Sequence, residues 1–337
     1  MSIPTTRLGG TGLTVSRLAL GTMTFGLQTG EAVSHRILDR AAEGGINFLD
    51  TANIYPLGGT VETNGRTEEI VGRWLRAQGS GGRGRFVVAT KAVGKTGPQP
   101  WDQGASRKHL LAAIDASLAR LQTDHVDLYQ LHFDDRTTPL DEMLEALDTI
   151  VRSGRARYIG VSNFLAYRLA LALGRAELHK LTKFVSVQPR YSLLFREIER
   201  ELLPLAGEEG LGVIPYNPLA GGLLTGKYRG TDAQREENTR FTLGTSATMY
   251  QERYWNERSF TTVAQLHKLA DEAGVPLATL AVAWVMANPL ITAPLLGASR
   301  PEQLDATLAA ADYKLDADLK QRLDELTAEY RKGDAPR

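Results

Sequence analysis

Short apolar runs alternate with longer amphipathic segments along the whole chain. The apolar runs predict strands in RLALGTM, INFLD, FVVATK, VDLYQLH, YIGVSN, FVSVQPR, GVIPYNP and ITAPLLGA. The segments between them have helical spacing of apolar residues, and several begin with Ser or Pro and end with Gly. Each strand is too apolar to have one face in water. The pattern therefore predicts an α/β fold, a (β/α)8 TIM barrel rather than an open doubly wound sheet.

Three further segments complete the predicted architecture. The glycine-rich start predicts a short N-terminal hairpin that caps the barrel, and ADLKQRLDELTAEYRK predicts an extra C-terminal helix outside it. The polar stretch from Thr225 to Ser259 lacks periodicity, which predicts a functional lid or a mobile insertion. No GxGxxG follows the first strand, which weakens a Rossmann interpretation. We expect residues 1–337 to form a single barrel domain.

Composition limits the classes of partner and site. The 39 basic and 39 acidic residues cancel, so no global field attracts nucleic acid or anionic lipid. The chain contains no cysteine, which excludes disulfides, thiolate metal sites and a cysteine nucleophile, and is typical of a reducing compartment. No signal peptide and no apolar run long enough to span a membrane are visible. We expect a cytoplasmic protein that binds a small molecule, with no metal, nucleic acid or membrane partner.

Four titratable residues, Asp50, Tyr55, Lys91 and His132, lie at or just after the carboxyl end of a predicted strand. Intervals of 41 residues separate Asp50 from Lys91 and Lys91 from His132, which suits strand–helix–strand units and is too long for hairpins. The carboxyl ends of parallel strands meet at one edge of a barrel, where active sites lie. The four side chains are therefore expected to converge on one mouth.

These residue types suit carbonyl reduction. Tyr55 is the candidate general acid, because a nearby ammonium can shift the pKa of a phenol, ordinarily about 10, toward the working pH. Lys91 would supply that ammonium, Asp50 would keep it charged, and His132 would hydrogen-bond the substrate oxygen. Each also has an ordinary structural interpretation. Tyr55 could be a loop aromatic that packs on the barrel rim, Lys91 and Asp50 could form an ordinary ion pair, and His132 could be a core histidine with its hydrogen bonds satisfied.

Polar residues also end the later strands and extend the same predicted edge. They are Ser162 with Asn163, Gln188, Tyr216 with Asn217, and the segment from Gly297 to Arg300. Any one of them could simply cap the helix that follows. The joint pattern is harder to explain in that way, and it predicts a site that extends across several strands.

Eight motifs make the chain similar to the aldo-keto reductase family. They are GINFLDTANIY, GRTEEIVGRWL, FVVATK, VDLYQLH, GRARYIGVSNF, SVQPRYSLL, IPYNPLAGGLLTGKY and LLGASRPEQL. The similarity begins at LGGTGLTVSRLALGTMTFG and covers nearly the whole chain. It points to the branch that also includes proteins resembling voltage-gated potassium channel beta subunits.

The resemblance implies an NADP-dependent oxidoreductase that reduces an aldehyde or ketone to an alcohol by hydride transfer. Asp50, Tyr55, Lys91 and His132 match the catalytic four, with Tyr55 donating the proton. NADPH, or NADP⁺ after the reaction, would extend across the carboxyl face of the barrel. Arg300 could hold a 2′-phosphate through two hydrogen bonds, so NADP should be preferred to NAD.

The same resemblance assigns cofactor contacts to five groups of residues. Gly21, Thr22, Met23 and Asp50 would lie beside the cofactor near the first strands, Ser162, Asn163 and Gln188 would hold the carboxamide, and Tyr216 would stack on the nicotinamide. The pyrophosphate would lie against Asn217, Pro218, Leu219, Ala220, Gly221, Leu223 and Lys227, and the adenosine phosphate against Gly297, Ser299, Arg300 and Gln303.

Several positions depart from the family pattern. Ala306 and Thr307 replace the usual Glu and Asn, which leaves adenine contacts there in doubt, while Pro56 follows Tyr55 and Phe133 with Asp134 follows His132. We expect altered selectivity rather than lost activity. The substrate pocket would be completed by the loops 55–64, 95–105 and 229–259, where Trp101, Tyr254 and Trp255 could either line it or pin the loops to the barrel.

Two other functions are compatible with the sequence. A cofactor-binding regulatory or scaffold subunit with little turnover would resemble the channel-associated members of the family, and Lys91 could form a Schiff base as in barrel aldolases. The particular aldehyde or ketone, the choice between a monomer and a homo-oligomer, and the strength of the preference for NADPH over NADH are not determined by the sequence.

Overall fold

The computed structural model describes residues 3–332. Its ten strands are β1 (Thr5–Arg7), β2 (Thr14–Ser16), β3 (Ala19–Gly21), β4 (Phe48–Asp50), β5 (Val87–Ala92), β6 (Val126–Leu131), β7 (Ala156–Ser162), β8 (Phe184–Gln188), β9 (Gly212–Val213) and β10 (Leu295–Leu296). Strands β1 and β2 pair antiparallel, and the other eight form one parallel sheet in the order β10-β3-β4-β5-β6-β7-β8-β9.

Helices connect the strands of the parallel sheet, and the last two helices of the chain follow β10. They are α1 (Glu31–Glu43), α2 (Arg66–Ala77), α3 (Arg107–Leu121), α4 (Leu140–Arg152), α5 (Ala166–Leu178), α6 (Leu202–Glu208), α7 (Ala247–Tyr254), α8 (Glu257–Glu272), α9 (Leu277–Met286), α10 (Gln303–Leu308) and α11 (Ala317–Leu326). Short 3₁₀ turns over Val61–Thr63 and Ala220–Thr225 lie in loops after β4 and β9.

The parallel sheet closes on itself. Strand β10 pairs with β3, and the segment leading into β10 bonds to the β9 side, with Thr292 donating to the Val213 carbonyl at 2.8 Å and Leu295 donating to the Pro215 carbonyl at 2.8 Å. The predicted (β/α)8 barrel is therefore confirmed. Strand β9 is shorter than the run GVIPYNP predicts, because Pro215 has no N–H for a ladder.

The N-terminal hairpin plugs the bottom of the barrel, as predicted. Leu8 and Val15 are fully buried and pack with Ala19, Phe48 and Val87, which stand at the first positions of three barrel strands. A second apolar layer fills the space between the strands and the surrounding helices. With the amino-terminal end filled, the opposite end remains for loops and polar side chains.

The polar stretch 225–259 is more ordered than its sequence predicts. It contains α7, and α8 begins at Glu257 rather than near Thr261, with Asn256 accepting a cap hydrogen bond from the Ser259 amide at 3.0 Å. The missing periodicity did not indicate this helix, because Tyr250 and Tyr254 are buried by tertiary packing that a polar local pattern conceals, and the functional lid or mobile insertion stays a prediction.

Arg196 ties the C-terminal helix to the barrel. Its guanidinium, almost fully buried, bonds Glu199 at 2.8 and 3.0 Å, the Asp324 carbonyl at 2.8 Å and the Thr327 hydroxyl at 2.8 Å. It also lies 5.0 Å from the centre of the Trp284 ring. The predicted extra helix, α11, thus lies outside the barrel, and the hydrogen bonds of the Arg196 guanidinium hold it there.

Within residues 3–332 no single helix has the length and apolar character needed to span a membrane. The helices α8 and α9 meet that test only as a pair, and they are bent by 92° at the break between them. The pair meets the test for a membrane span by its length and composition only.

We predict that Arg196→Met lowers the free energy of unfolding by about 3–5 kcal/mol, because it removes one partner from a buried charge network. Arg200→Met is the control, since Arg200 is exposed and its one side-chain ion pair among residues 3–332 is a long contact with Glu201 at 3.8 Å. It should change stability by less than about 0.5 kcal/mol. Urea unfolding followed by circular dichroism measures both. Equal losses would contradict the anchoring role.

Candidate active site

The carboxyl ends of β4, β5 and β6 bring the four predicted catalytic residues together. Asp50 is the last residue of β4, and Tyr55 lies in the loop that follows this strand. Lys91 is the penultimate residue of β5, and His132 is the first residue after β6. A cavity of about 1460 Å³ opens at this edge and is lined by Asp50, Tyr55 and His132, among others. Lys91 is fully buried directly behind it.

Asp50 and Lys91 form a buried ion pair. The Lys91 ammonium donates to Asp50 Oδ2 and to the Thr51 carbonyl at 2.9 Å. The other carboxylate oxygen of Asp50 accepts from Gln130 Nε2 at 3.0 Å and from Gln188 Nε2 at 2.8 Å. Both oxygens of the carboxylate are therefore engaged. Burial lowers the pKa of Lys91, while the negative charge of Asp50 opposes that change.

Tyr55 lies next to this pair. The Lys91 ammonium is 3.5 Å from the phenol oxygen and 5.0 Å from the ring centre. Burial, and then the charge of Asp50, raises the pKa of Tyr55 well above its ordinary value. The expected shift toward the working pH is therefore wrong for this geometry, because desolvation and Asp50 outweigh the ammonium. The phenol is protonated near neutral pH, which is the state a proton donor requires.

His132 faces the same space as a neutral ring. It stacks on Phe133 with ring centres 4.4 Å apart and meets the Tyr55 ring edge-on at 5.6 Å. Burial, and then the charge of Lys91, lowers the pKa of His132 well below its usual range. Its Nδ1 atom is buried and has no hydrogen-bond partner within residues 3–332. A neutral imidazole can donate one hydrogen bond to an oxygen in the cavity.

A hydrogen-bonded chain continues across the next strands. Ser162 donates to the Gln188 carbonyl at 2.8 Å, Asn163 donates to Ser162 Oγ and to the His132 carbonyl at 3.0 Å each, and Tyr216 donates to Asn163 Oδ1 at 2.9 Å. Asn163 has a positive φ of 58°, a strained state that often marks a functional site. The chain fixes the orientation of polar groups along one wall of the cavity.

The segment after β9 forms a tight turn with left-handed backbone. Asn217 (φ 64°), Ala220 (φ 49°), Gly221 (φ 70°) and Gly222 (φ 102°) all lie in that region. Asn217 holds the turn, because its Oδ1 accepts from the Gly221 amide at 2.7 Å and its Nδ2 donates to the Tyr254 hydroxyl at 2.8 Å. A Cβ built on Gly222 would meet no atom within 4 Å, so a ligand can approach the backbone there.

The far end of the cavity lies at the start of α10. Gly297, Ser299, Arg300 and Gln303 line it, with Ser299 donating through its amide to Gln303 Oε1 at 2.8 Å. Arg300 is exposed and makes no ion pair with any carboxylate in the described chain. Lys227 lines the middle of the cavity but is already paired with Glu236 at 2.7 Å.

Most of the residues assigned from the resemblance line the cavity. They are Gly21, Met23, Asp50, Ser162, Asn163, Gln188, Tyr216, Asn217, Pro218, Leu219, Gly221, Lys227, Gly297, Ser299, Arg300 and Gln303. Thr22, Ala220 and Leu223 are fully buried and lie outside the lining, Thr22 donating to the Asp50 carbonyl at 2.9 Å and the other two packing in the core. Their side chains support the wall rather than face the cavity.

A covering segment, defined as residues 229–246, contributes cavity residues that the sequence did not reveal. Glu236, Glu237, Asn238, Thr239, Arg240 and Thr245 line the cavity, as do Met249, Tyr250 and Arg253 just after it. Asn238 accepts through its carbonyl from the Gln28 side chain, and the Thr245 amide donates to the Gly58 carbonyl at 3.4 Å. The segment therefore contacts the loops after β3 and β4.

The three aromatics considered for the pocket lie outside its lining, and Tyr254 and Trp255 pack against other side chains. Tyr254 is buried, and Trp255 packs on Tyr228 and Phe241 with ring centres 5.0 and 4.8 Å apart. Trp101 is exposed and lies beneath the Lys108 ammonium. None of the three lines the cavity, and the packing of Tyr254 and Trp255 favours the structural interpretation for these two. No local signal identifies Arg240 or Tyr250 instead, because loop conformation decides which side chains face inward.

Residues 3–332 contain no group of three or more His, Cys, Asp or Glu side chains arranged to hold a metal ion. Asp50 has both oxygens bonded within the protein, and His132 faces an ammonium.

The aldo/keto reductase family model matches residues 17–328. The chain belongs to the aldo/keto reductase family. An uncharacterized oxidoreductase, YrpG, of Bacillus subtilis (strain 168) is 42% identical over 325 residues, covering 95% of this chain and 95% of that protein. Protein tas of Escherichia coli (strain K12) is 36% identical, with 96% and 97% covered, and a probable voltage-gated potassium channel subunit beta of Arabidopsis thaliana is 37% identical, with 90% of each covered.

The departures from the pattern of the aldo/keto reductase family lie at the two ends of the cavity. Pro56 and Phe133 line it near Tyr55 and His132, whereas Ala306 and Thr307 line the far end. Asp134 turns away, since its carboxylate pairs with Arg168 at 3.1 Å. Asp50, Tyr55, Lys91 and His132, the four predicted catalytic residues, are not among these departures.

We predict that Asp50→Asn lowers the free energy of unfolding of this aldo/keto reductase by about 3–5 kcal/mol, because it leaves Lys91 buried without a counter-ion. The native pKa of Lys91 then falls further below its unfolded value, the unfolded state binds more protons, and stability rises with pH up to about pH 10. Urea unfolding at several pH values measures this.

The double variant Asp50→Asn/Lys91→Met removes both charges and is the control. It should recover much of the lost stability and show no such rise with pH. A double variant as unstable as Asp50→Asn alone would show that the carboxylate acts through Gln130 and Gln188 rather than through Lys91.

Proposed function

We propose that this protein is an NADPH-dependent reductase that converts an aldehyde or ketone to an alcohol, with Tyr55 as the proton donor. The observation that carries the proposal is the cluster of Tyr55, Lys91, Asp50 and His132 at one end of a long cavity. Family membership and the similarity to a protein named as an oxidoreductase support the reaction class. A cytoplasmic location and a single domain over residues 1–337 stay predictions.

The residues of the cavity fit a nicotinamide dinucleotide. Amide and hydroxyl groups line the wall near the reacting end, open space lies beside Gly222 and Gly297, and Lys227 and Arg300 provide positive charge farther along. We assign the carboxamide to Ser162, Asn163 and Gln188, the ring face to Tyr216, and the phosphates to Lys227 and Arg300. When bound, the cofactor supplies the hydride.

Side chains of the protein then bind the substrate oxygen and supply the proton. His132, neutral because burial and Lys91 lower its pKa, donates a hydrogen bond to the carbonyl oxygen and orients it. Tyr55 transfers its hydroxyl proton to that oxygen as negative charge develops there. The Lys91 ammonium, 3.5 Å away, stabilises the resulting phenolate, and Asp50 keeps Lys91 in place. Proton return from solvent restores the phenol.

The two other hypotheses have weaker support. A Schiff base at Lys91 requires an amine that a substrate can reach, but this side chain is fully buried and bound to Asp50 and Thr51. A regulatory subunit with little turnover is compatible with the similarity to a probable channel subunit. The presence of all four catalytic side-chain types in contact with the cavity or with one another favours the reductase.

We predict that Tyr55→Phe lowers kcat for NADPH-dependent aldehyde reduction by about 10²–10⁴-fold, because it removes the hydroxyl proton that the proposed mechanism transfers to the carbonyl oxygen. The Kd for NADPH, measured by fluorescence, should change by less than about twofold. Tyr167→Phe, at an exposed tyrosine on α5, is the matched control and should leave both quantities unchanged. Turnover by Tyr55→Phe at the wild-type rate would refute the assigned acid.

We predict that Arg300→Met raises the Kd for NADPH by about 10–100-fold and leaves the Kd for NADH nearly unchanged, because a bidentate contact with the 2′-phosphate is lost. The control is Arg322→Met, a substitution at a surface arginine that pairs with Glu272 far from the cavity. Equal weakening of both cofactors would place Arg300 against another part of the dinucleotide.

A further inference from the structure

Helix α5 has an apolar stripe on each of two opposite faces. The inner stripe is buried in the core and consists of Leu169, Ala172, Leu173 and Ala176. The outer stripe follows the spacing i, i+4, i+7 and i+11 and consists of Tyr167, Leu171, Gly174 and Leu178. A surface helix ordinarily carries charged residues on the face opposite its buried one. The outer stripe carries no charge, so contact with water does not account for it.

The large side chains of the outer stripe stand in solvent. Tyr167 is 58% exposed, Leu171 45% and Leu178 72%. They are three of the nine large apolar side chains that are exposed among residues 3–332, and they share one face of one helix. Single apolar residues are normal on a protein surface, whereas a continuous apolar patch marks an interaction site. Their concentration on α5 therefore indicates a partner.

Gly174 is the one member of the outer stripe that has no side chain. It lies in the interior of α5, where glycine is destabilising relative to alanine, and its φ is not in the left-handed region. A Cβ built on Gly174 would meet no side chain of another element within 4 Å among the described residues. Neither backbone conformation nor crowding in that part of the chain requires a glycine here. A second body that packs closely against the helix at this point would account for it.

The outer stripe is complementary to a copy of itself turned end to end. If two α5 helices pack antiparallel about a two-fold axis between positions 172 and 173, Leu171 of each copy lies across from Gly174 of the other. Tyr167 of each copy then lies across from Leu178 of the other. A large side chain meets an open space in both directions, as a two-fold interface requires. The spacing of four, three and four residues is that of the seam between closely packed helices.

The charged residues beside the stripe are neutralised within the chain. Arg175 Nη1 lies 2.9 Å from Asp141 Oδ2, and Glu177 pairs with Lys183. Two copies can therefore approach without repulsion between unpaired like charges, and the formal net charge of each chain is zero. A lipid surface would instead favour unpaired cations beside the apolar residues. The charges thus favour a second copy of the chain as the partner.

We infer that the outer stripe of α5 is a homodimer interface, in which a second copy packs antiparallel across Leu171 and Gly174. A stable interface has an apolar core within a polar rim, and here the stripe is the core and the flanking ion pairs are the rim. No residue of α5 lines the cavity, so the site stays accessible in both copies. The inference does not depend on the proposed reductase function.

Sedimentation equilibrium of the full chain tests this inference. Wild type at micromolar concentration should have twice the mass of one chain. Leu171→Glu should raise the Kd of the dimer by about tenfold or more, because it places an unpaired charge in the interface. Leu27→Glu is the control, at a leucine 41% exposed in the loop before α1, which lies across the barrel from α5. It should leave the Kd within about twofold.

Gly174→Gln separates an interface from a merely structural role. Glutamine is a better helix former than glycine and has open space at this position, so the unfolding midpoint of the monomer in urea should rise or stay the same. The same side chain blocks the close approach of the second copy, so the Kd of the dimer should rise by about tenfold or more. A destabilised monomer with an unchanged Kd would contradict the inference.

Cross-linking tests the antiparallel register, and the absence of cysteine from the chain removes any background. A mixture of the Tyr167→Cys and Leu178→Cys proteins should form a disulfide-linked dimer under mild oxidation. Neither protein alone should do so, because identical positions are separated along the helix by eleven residues, about 16 Å, which is too far for a disulfide. Linking of each protein alone as readily as in the mixture would contradict this register.

Other results would overturn the inference. They are a monomeric wild type, a dimer whose Kd is insensitive to Leu171→Glu, and equal weakening by Leu27→Glu. A monomer that binds phosphatidylcholine vesicles and loses this binding in Leu171→Glu would replace the second copy with a lipid surface as the occupant of the stripe.

Discussion

The ion pair between Asp50 and Lys91 is the interaction on which the reacting end of the barrel depends. Each charge is buried, so neither is tolerable without the other, and the two strands that carry them must keep their register. Gln130 and Gln188 extend the constraint to β6 and β8, because both donate to the same carboxylate oxygen. Four strands are thus tied to one side chain, and the phenol of Tyr55 is placed beside a fixed ammonium.

The same pair adds to burial in setting the protonation states around it. Burial, and then the charge of Lys91, lowers the pKa of His132 and keeps that imidazole neutral, while burial, and then the charge of Asp50, raises the pKa of Tyr55 and keeps the phenol protonated. The phenol and the imidazole at the cavity are therefore both able to donate a hydrogen bond. The strands beside them are packed on the plug formed by Leu8 and Val15.

The sequence predicts this part of the molecule well because strand periodicity and strand ends are local signals. The eight strands, the plug and the meeting of Asp50, Tyr55, Lys91 and His132 follow from spacing and parallel topology. Gln130 has no local signal that marks it as part of the site, since it stands within an apolar strand. Helix α7 has no clear periodic signal either, since its buried tyrosines are scattered among polar residues. The raised pKa of Tyr55 does not follow from the sequence either. It results mainly from burial, and burial depends on packing that no motif encodes.

Selectivity has a different physical origin from catalysis in this barrel. Of the four predicted catalytic residues, Asp50 and Lys91 are on strands, where one residue of slip would turn a side chain away, so their geometry is fixed by the sheet. Arg240 and Tyr250 lie on or after the covering segment, which is held by an aromatic cluster and a few backbone contacts. Changes there can alter the side chains that line the cavity without changing the residues of the Asp50–Lys91 pair. A shared reaction and divergent substrates are what this separation between rigid strands and an anchored loop allows.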